Sequence, residues 1–106
     1  MFLEKYLDDV YYQIVLEEYD ERYLRMLDEK NFQDIYFLLK ERNCYFVEDV
    51  IIKYLELFEL DRQSVEYALD EMRKYLGEEY MRYMGKDMTL FDRLLQLALH
   101  YSKEED

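Results

Sequence analysis

Residues 60–77 read LDRQSVEYALDEMRKYLG, and this stretch decides the fold class. Asp61 stands where a helix N-cap is wanted, because its carboxylate can accept from first-turn N–H groups that lack an intrahelical partner. Leu60 and Val65 are placed to staple the entry. Val65, Ala68, Leu69, Met72 and Leu76 then recur at three- and four-residue steps, one apolar stripe at helical period. Gly77 follows the stripe, as a helix stop should.

Working outward, the rest of the chain repeats the periodicity but not always the punctuation. There is no proline, Gly77 and Gly85 are the only glycines, and no run alternates apolar and polar over strand length, so helices are what remains. Upstream, Phe46, Val47, Val50, Ile51, Tyr54, Leu55, Leu57 and Phe58 cover about half of a helix circumference, which predicts a central, most buried helix from Phe46 to Phe58. Before it, Asn31 with Asp34 can cap a helix carrying Phe32, Ile35, Tyr36 and Leu39 and ending near Asn43.

The N-terminal segment is ambiguous. Phe2, Leu3, Tyr6, Leu7, Val10 and Ile14 form one stripe, while Tyr12, Leu16, Tyr19, Tyr23 and Met26 keep helical spacing on nearly the opposite face. Either the chain bends near residues 16–20, or one helix runs to about residue 29 and buries opposite faces in its two halves, one of them against a second subunit. Downstream, a short helix over Glu78–Met84 should stop at Gly85. Thr89 with Asp92 can cap a last helix bearing Leu90, Phe91, Leu94, Leu97, Ala98 and Tyr101, and residues 102–106 should fray. The expectation is an all-α single domain over 1–106, a compact bundle or irregular array of five to six short amphipathic helices.

Composition narrows the function classes. Twenty-six acids against fourteen bases give a net charge of -12, a field that disfavours phosphate backbones and anionic lipids. No apolar run is long enough to span a bilayer and the start lacks a signal-peptide layout, so a cytoplasmic location is expected. Cys44 alone cannot form an internal disulfide. Few uncharged polar side chains beside many Glu, Arg and Tyr point to a warm-living host. Thirteen tyrosines favour half-buried, interface-like positions, because each brings large contact area and a hydroxyl that needs a polar partner.

No catalytic constellation emerges. His100 is the only histidine and falls on the polar side of the last helix with Arg93 and Gln96, so no serine or thiol nucleophile has a base of the usual kind. Zinc and di-iron ligand spacings are missing, and no cofactor or metal is expected. Glu17-Glu18-Tyr19-Asp20-Glu21 resembles the EExxE half of the pattern in all-helical MazG-like nucleotide pyrophosphohydrolases. The second half, ExxD, is not there, since Glu41 is followed by Cys44 and Glu48 by Ile51. A magnesium-dependent nucleotide hydrolase is therefore a remote alternative.

A nearer alternative is a helix-turn-helix DNA-binding regulator over residues 46–76, with Arg62, Gln63 and Ser64 facing bases. Glu66, Asp70 and Glu71 on the second helix, and the lack of a Lys/Arg cluster, count against it. The preferred reading is a non-enzymatic protein-protein interaction module, a homodimeric regulator or an acidic inhibitor that imitates nucleic acid. Two sets of residues are the expected partner interface. Tyr11, Tyr12, Val15, Leu16 and Tyr19 are the surplus of the first helix, and Tyr80, Met81, Tyr83, Met84 and Met88 are a segment of types enriched at interfaces. The paired acids at Asp8-Asp9, Glu17-Glu18, Asp20-Glu21, Asp28-Glu29, Glu48-Asp49, Asp70-Glu71 and Glu78-Glu79 supply the charge for mimicry.

Overall fold

Four aspartates start four of the helices. In the computed structural model, which describes residues 1–104, Asp8 accepts from the Tyr11 N–H (2.9 Å), Asp20 from Arg22 (2.9 Å), Asp28 from Asn31 (3.1 Å) and Asp61 from Ser64 (3.0 Å). Each satisfies an orphan first-turn donor, a contribution of about 1 kcal/mol apiece. Three of these aspartates are followed at once by Asp9, Glu21 or Glu29, acids that the positive end of the helix favours. Three of the acidic pairs in the sequence are thus helix entrances.

The order that results is an N-terminal 3-10 helix (Phe2–Lys5), α1 (Asp9–Glu18), α2 (Glu21–Met26), α3 (Glu29–Glu41), α4 (Val47–Lys53), a central 3-10 helix (Leu55–Glu59), α5 (Arg62–Leu76), α6 (Tyr80–Lys86) and α7 (Leu90–Glu104). The described residues are all-helical, with seven α-helices where five to six were expected. The N-terminal segment bends at Tyr19, one of its two anticipated outcomes, and breaks a second time at Leu7-Asp8. Folding back twice buries Leu3, Leu7, Val15 and Leu24 in one core and leaves Val10 outside it, 69% exposed.

Asn31 is not the cap of α3. The helix begins a turn earlier at Asp28, and the Asn31 amide donates instead to the carbonyls of Phe58 (2.7 Å) and Leu60 (2.9 Å). Those carbonyls close the central 3-10 helix and would otherwise lack partners.

The expected long helix from Phe46 to Phe58 is also broken. The chain leaves α4 at Tyr54, where φ is -134° and ψ 47°, and continues as 3-10 helix. The arc of apolar side chains is too wide for one face, and the break turns Leu55, Leu57 and Phe58 inward, each 1% exposed or less. Tyr54 anchors the bend, its hydroxyl donating to the Met88 carbonyl (3.0 Å) and its ring lying 5.6 Å from that of Phe91. The segment is as buried as its composition implies.

α5 follows its sequence signals, capped by Asp61 and ended at Gly77 with φ 86°. It packs along α7, the most extensive helix pair in the molecule. Gly85 does not stop α6. It lies inside the helix, where an added Cβ would come 2.7 Å from Cε1 of Phe46 and 3.0 Å from the Tyr45 hydroxyl. The Phe46 ring is held edge-on against Phe91 at 5.7 Å and has little room to yield. We therefore expect Gly85→Ala to destabilise the protein by about 1–2 kcal/mol in urea unfolding, overpacking outweighing the roughly 1 kcal/mol gained in helix propensity. A more stable alanine variant would contradict this close approach.

At the entrance to α7, Asp87 rather than Thr89 with Asp92 organises the turn. Its Oδ1 accepts from both the Thr89 N–H (3.1 Å) and the Thr89 hydroxyl (2.5 Å). α7 runs to Glu104, so residues 102–104 are helical where fraying was expected, while the rest of that tail, 105–106, lies outside the described residues.

Candidate functional site

The ten residues expected at a partner interface divide by burial. Val15 and Met84 are fully buried, Met81 is 4% and Tyr80 6% exposed, so these four pack inside the chain and are not contact surface. The reason is the double fold-back of the N-terminus for Val15, and for α6 an inward face built from Tyr80, Met81 and Met84. Tyr11, Tyr12, Tyr19 and Met88 are half-buried, and Leu16 and Tyr83 are exposed. The set does not form one surface.

The tyrosines instead join elements to one another. Along the seam where α1 and α2 meet α4 and the central 3-10 helix, Tyr11 donates to Asp49 (3.4 Å), Tyr19 to the Ile52 carbonyl (2.7 Å) and Tyr23 to Glu59 (2.6 Å). The Tyr19 and Tyr23 rings stack at 5.8 Å. Sequence reasoning gave these tyrosines polar partners but placed the partners in another molecule.

The same seam gathers carboxylates. The Asp49 charge is the foremost cause raising the Tyr11 hydroxyl pKa, followed by burial, with Glu48 and Asp8 adding to it. Burial raises Tyr19, opposed by the Leu55 backbone and reinforced by Glu56 and Glu18. Burial, then the hydrogen bond and charge of Glu59, raises Tyr23 strongly. Three hydroxyls in a row thus feel acids from both walls.

These acids stand on two facing walls, and none of them is held by a cation. Asp8, Glu18, Glu48, Asp49, Glu56 and Glu59 make no ion pair among the described residues, and neither does Lys53, four positions on from Asp49. Around α5 carboxylates are neutralised: Asp70 by Arg42 (3.0 Å), Glu41 and Glu66 by Arg62 (2.9 and 2.8 Å), Glu78 by Arg73 (2.7 Å) and Glu71 by Lys74 (3.1 Å). Charge is therefore largely paired around α5 and uncompensated on the seam, while Asp9, Glu17, Asp34 and Asp92 also make no ion pair among the described residues.

The motifs weighed for chemistry resolve differently from their sequence spacing. Glu17 to Glu21 straddles the break between α1 and α2, with Asp20 consumed as a cap and Glu21 bound to Arg25 at 2.7 Å, so the cluster is not one carboxylate face. The helix pair proposed for DNA reading loses its first long helix, Arg62 is held between Glu41 and Glu66, and Ser64 is fully buried with its hydroxyl donating to Asp61 (2.8 Å). Among the described residues no group of three or more His, Cys, Asp or Glu is arranged to hold a metal ion. Cys44 is buried, and burial pushes its thiol up to about 12, far from a reactive thiolate. No helix among the described residues is long and apolar enough to cross a membrane.

A cleft of about 370 Å³ opens between the end of α3 and α6, lined by Arg42, Arg73, Arg82, Glu78, Glu79 and Tyr45 among others. Its arginines face its own acids: Arg73 grips Glu78 at 2.7 and 2.8 Å, and Arg82 lies 3.8 Å from Glu79. It presents a self-neutralised surface. No known protein family, characterised protein or solved structure matches this chain.

Proposed function

We propose that this chain is a non-enzymatic binding protein, an acidic regulator or inhibitor that engages the basic surface of a partner protein through the seam between α1–α2 and α4 with the central 3-10 helix. The observation that carries the reading is the run of carboxylates without ion pairs there, beside tyrosine hydroxyls that hold the seam walls together. A carboxylate already paired has little attraction to offer, whereas an unpaired one adds its full field to steering and to new charge-assisted bonds. Hydrogen bonds hold the Asp8, Asp49 and Glu59 carboxylates, and the short helices fix the backbone of the rest, so less ordering entropy is lost on binding than with a flexible acidic tail. A basic groove of the kind that otherwise holds phosphates fits such a strip, which makes nucleic-acid mimicry the sharper form of the proposal.

The test compares two sets of neutralisations with the same change in net charge. One replaces Glu18, Glu48, Glu56 and Glu59 by glutamine, and the other replaces the paired Glu41, Glu66, Glu71 and Glu78. Titrated calorimetrically with an arginine-rich peptide at low salt, the first set should lose about tenfold or more in affinity and the second only a fraction of that. Equal losses would reduce the charge to a matter of solubility and remove the proposal.

A further inference from the structure

We infer that the outward face of α3 is a self-complementary surface through which two copies of this chain pair about a twofold axis, independently of the acidic seam. α3 carries the most exposed phenylalanine of the chain, Phe37, at 49%, and it does not stand alone. Its ring lies 5.5 Å from that of Tyr36, which lies 4.9 Å from Tyr6, which lies 6.3 Å from Phe2. Phe2, Tyr6 and Tyr36 are half-buried, so the four rings make a continuous ridge open to solvent on one side. Scattered exposed apolar side chains are ordinary, but a connected aromatic ridge marks a contact surface.

The choice of occupant rests on charge. A chain of net charge -12 repels its own copy, so self-contact needs a face where that repulsion is cancelled locally. The exposed line of α3 runs from an acid, Glu29, past Gln33 and Phe37 to a base, Lys40. Lys40 makes no ion pair among the described residues and sits 5.6 Å over the Tyr36 ring, while Glu29 is exposed and meets only Lys5, at 3.6 Å, without a hydrogen bond. Eleven residues separate the two charges, about 16 Å along the axis and only about 20° apart around it. Laid antiparallel on its own copy, this line sets each Lys40 beside the other copy's Glu29, with the aromatic ridges between them. A twofold interface demands that kind of reversal symmetry, in which residue i meets j and j meets i. Lys30 and Asp34, about 20° and 60° round the helix from Phe37, flank the line with opposite charges.

Sedimentation velocity over a roughly hundredfold concentration range tests the inference on the full chain. The wild type should show a concentration-dependent dimer. Lys40→Glu and Glu29→Lys should each weaken it about tenfold, because each removes two symmetric ion pairs and introduces repulsion, and the double charge swap should restore it. Phe37→Ser should leave a monomer. All four variants change exposed side chains and should keep wild-type helicity by circular dichroism. A wild type that stays monomeric, a dimer indifferent to Phe37→Ser, or single swaps not rescued by the double swap would each overturn the inference. None of these results depends on binding of a basic partner at the seam.

Discussion

Replacing Phe58 by alanine is expected to lower the unfolding free energy by about 3–5 kcal/mol, a large share of the ~5–15 kcal/mol that holds a typical domain together. Phe58 sits in the central 3-10 helix, is 1% exposed, and stacks on Phe32 at 4.7 Å with 23° between ring planes. Truncation removes the transfer free energy of the ring and leaves a cavity between α3 and the 3-10 helix that the surrounding helices cannot fully close. The carbonyl of the same residue is tied to Asn31, so the backbone is fixed where the side chain has gone. Urea unfolding followed by circular dichroism reads the loss directly. Met26→Ala, at an 84% exposed side chain of α2, is the control and should cost well under 1 kcal/mol. Similar losses for the two would mean that the central 3-10 helix is not core.

The second large effect is on alkaline stability. Tyr11, Tyr12, Tyr19, Tyr23 and Tyr54 all have hydroxyl pKa values raised above the ordinary 10.0, with burial the leading cause for all but Tyr11, where the Asp49 charge leads. In the unfolded chain these groups lose protons near pH 10, while the folded protein keeps them. The unfolded state therefore binds fewer protons above that point, and stability falls as pH rises. The contribution is intact below about pH 9 and is lost progressively as pH climbs through the folded values. Urea midpoints measured from pH 7 to 11, with tyrosinate absorbance recorded alongside, should show a plateau and then a steep decline. Tyr23→Phe, which removes the donor to Glu59, should shallow that decline. Stability flat to pH 11 would contradict the seam's hydrogen bonds.

Much of the fold was legible where a polar punctuation mark coincided with the end of an apolar stripe. α5 has both, Asp61 at one end and Gly77 at the other, and its reading stands residue for residue. Asp8, Asp20 and Asp28 are equally good caps, but each lies within or beside a run whose apolar spacing continues, and periodicity masked them. An aspartate followed by a second acid was read as charge when it was also a helix start. Gly85 was legible as special but not as what kind of special, since a stop and a close approach need the same residue. The break at Tyr54 was signalled only by an apolar arc too wide for one helix face.

The candidate site was less legible for a different reason. The composition fixed how many acids exceed bases, but which carboxylates find cations depends on the side chains brought near them by α5 and the loop after α3. Tyr11, Tyr19 and Tyr23 showed as interface-like from their chemistry, and only the packing of α1 on α4 reveals that their partners belong to the same chain. Burial then removed Val15, Tyr80, Met81 and Met84 from the surface on which the sequence had placed them.

The central claim is that binding is localised on the unpaired carboxylates of the seam, and amide chemical-shift mapping during titration with an arginine-rich peptide tests it most directly. The account predicts that the largest shifts fall along residues 8–23 and 47–59, from the two walls of the seam, and shrink as salt is added. Shifts spread evenly over the molecule, or concentrated on α5 and α7, would contradict it.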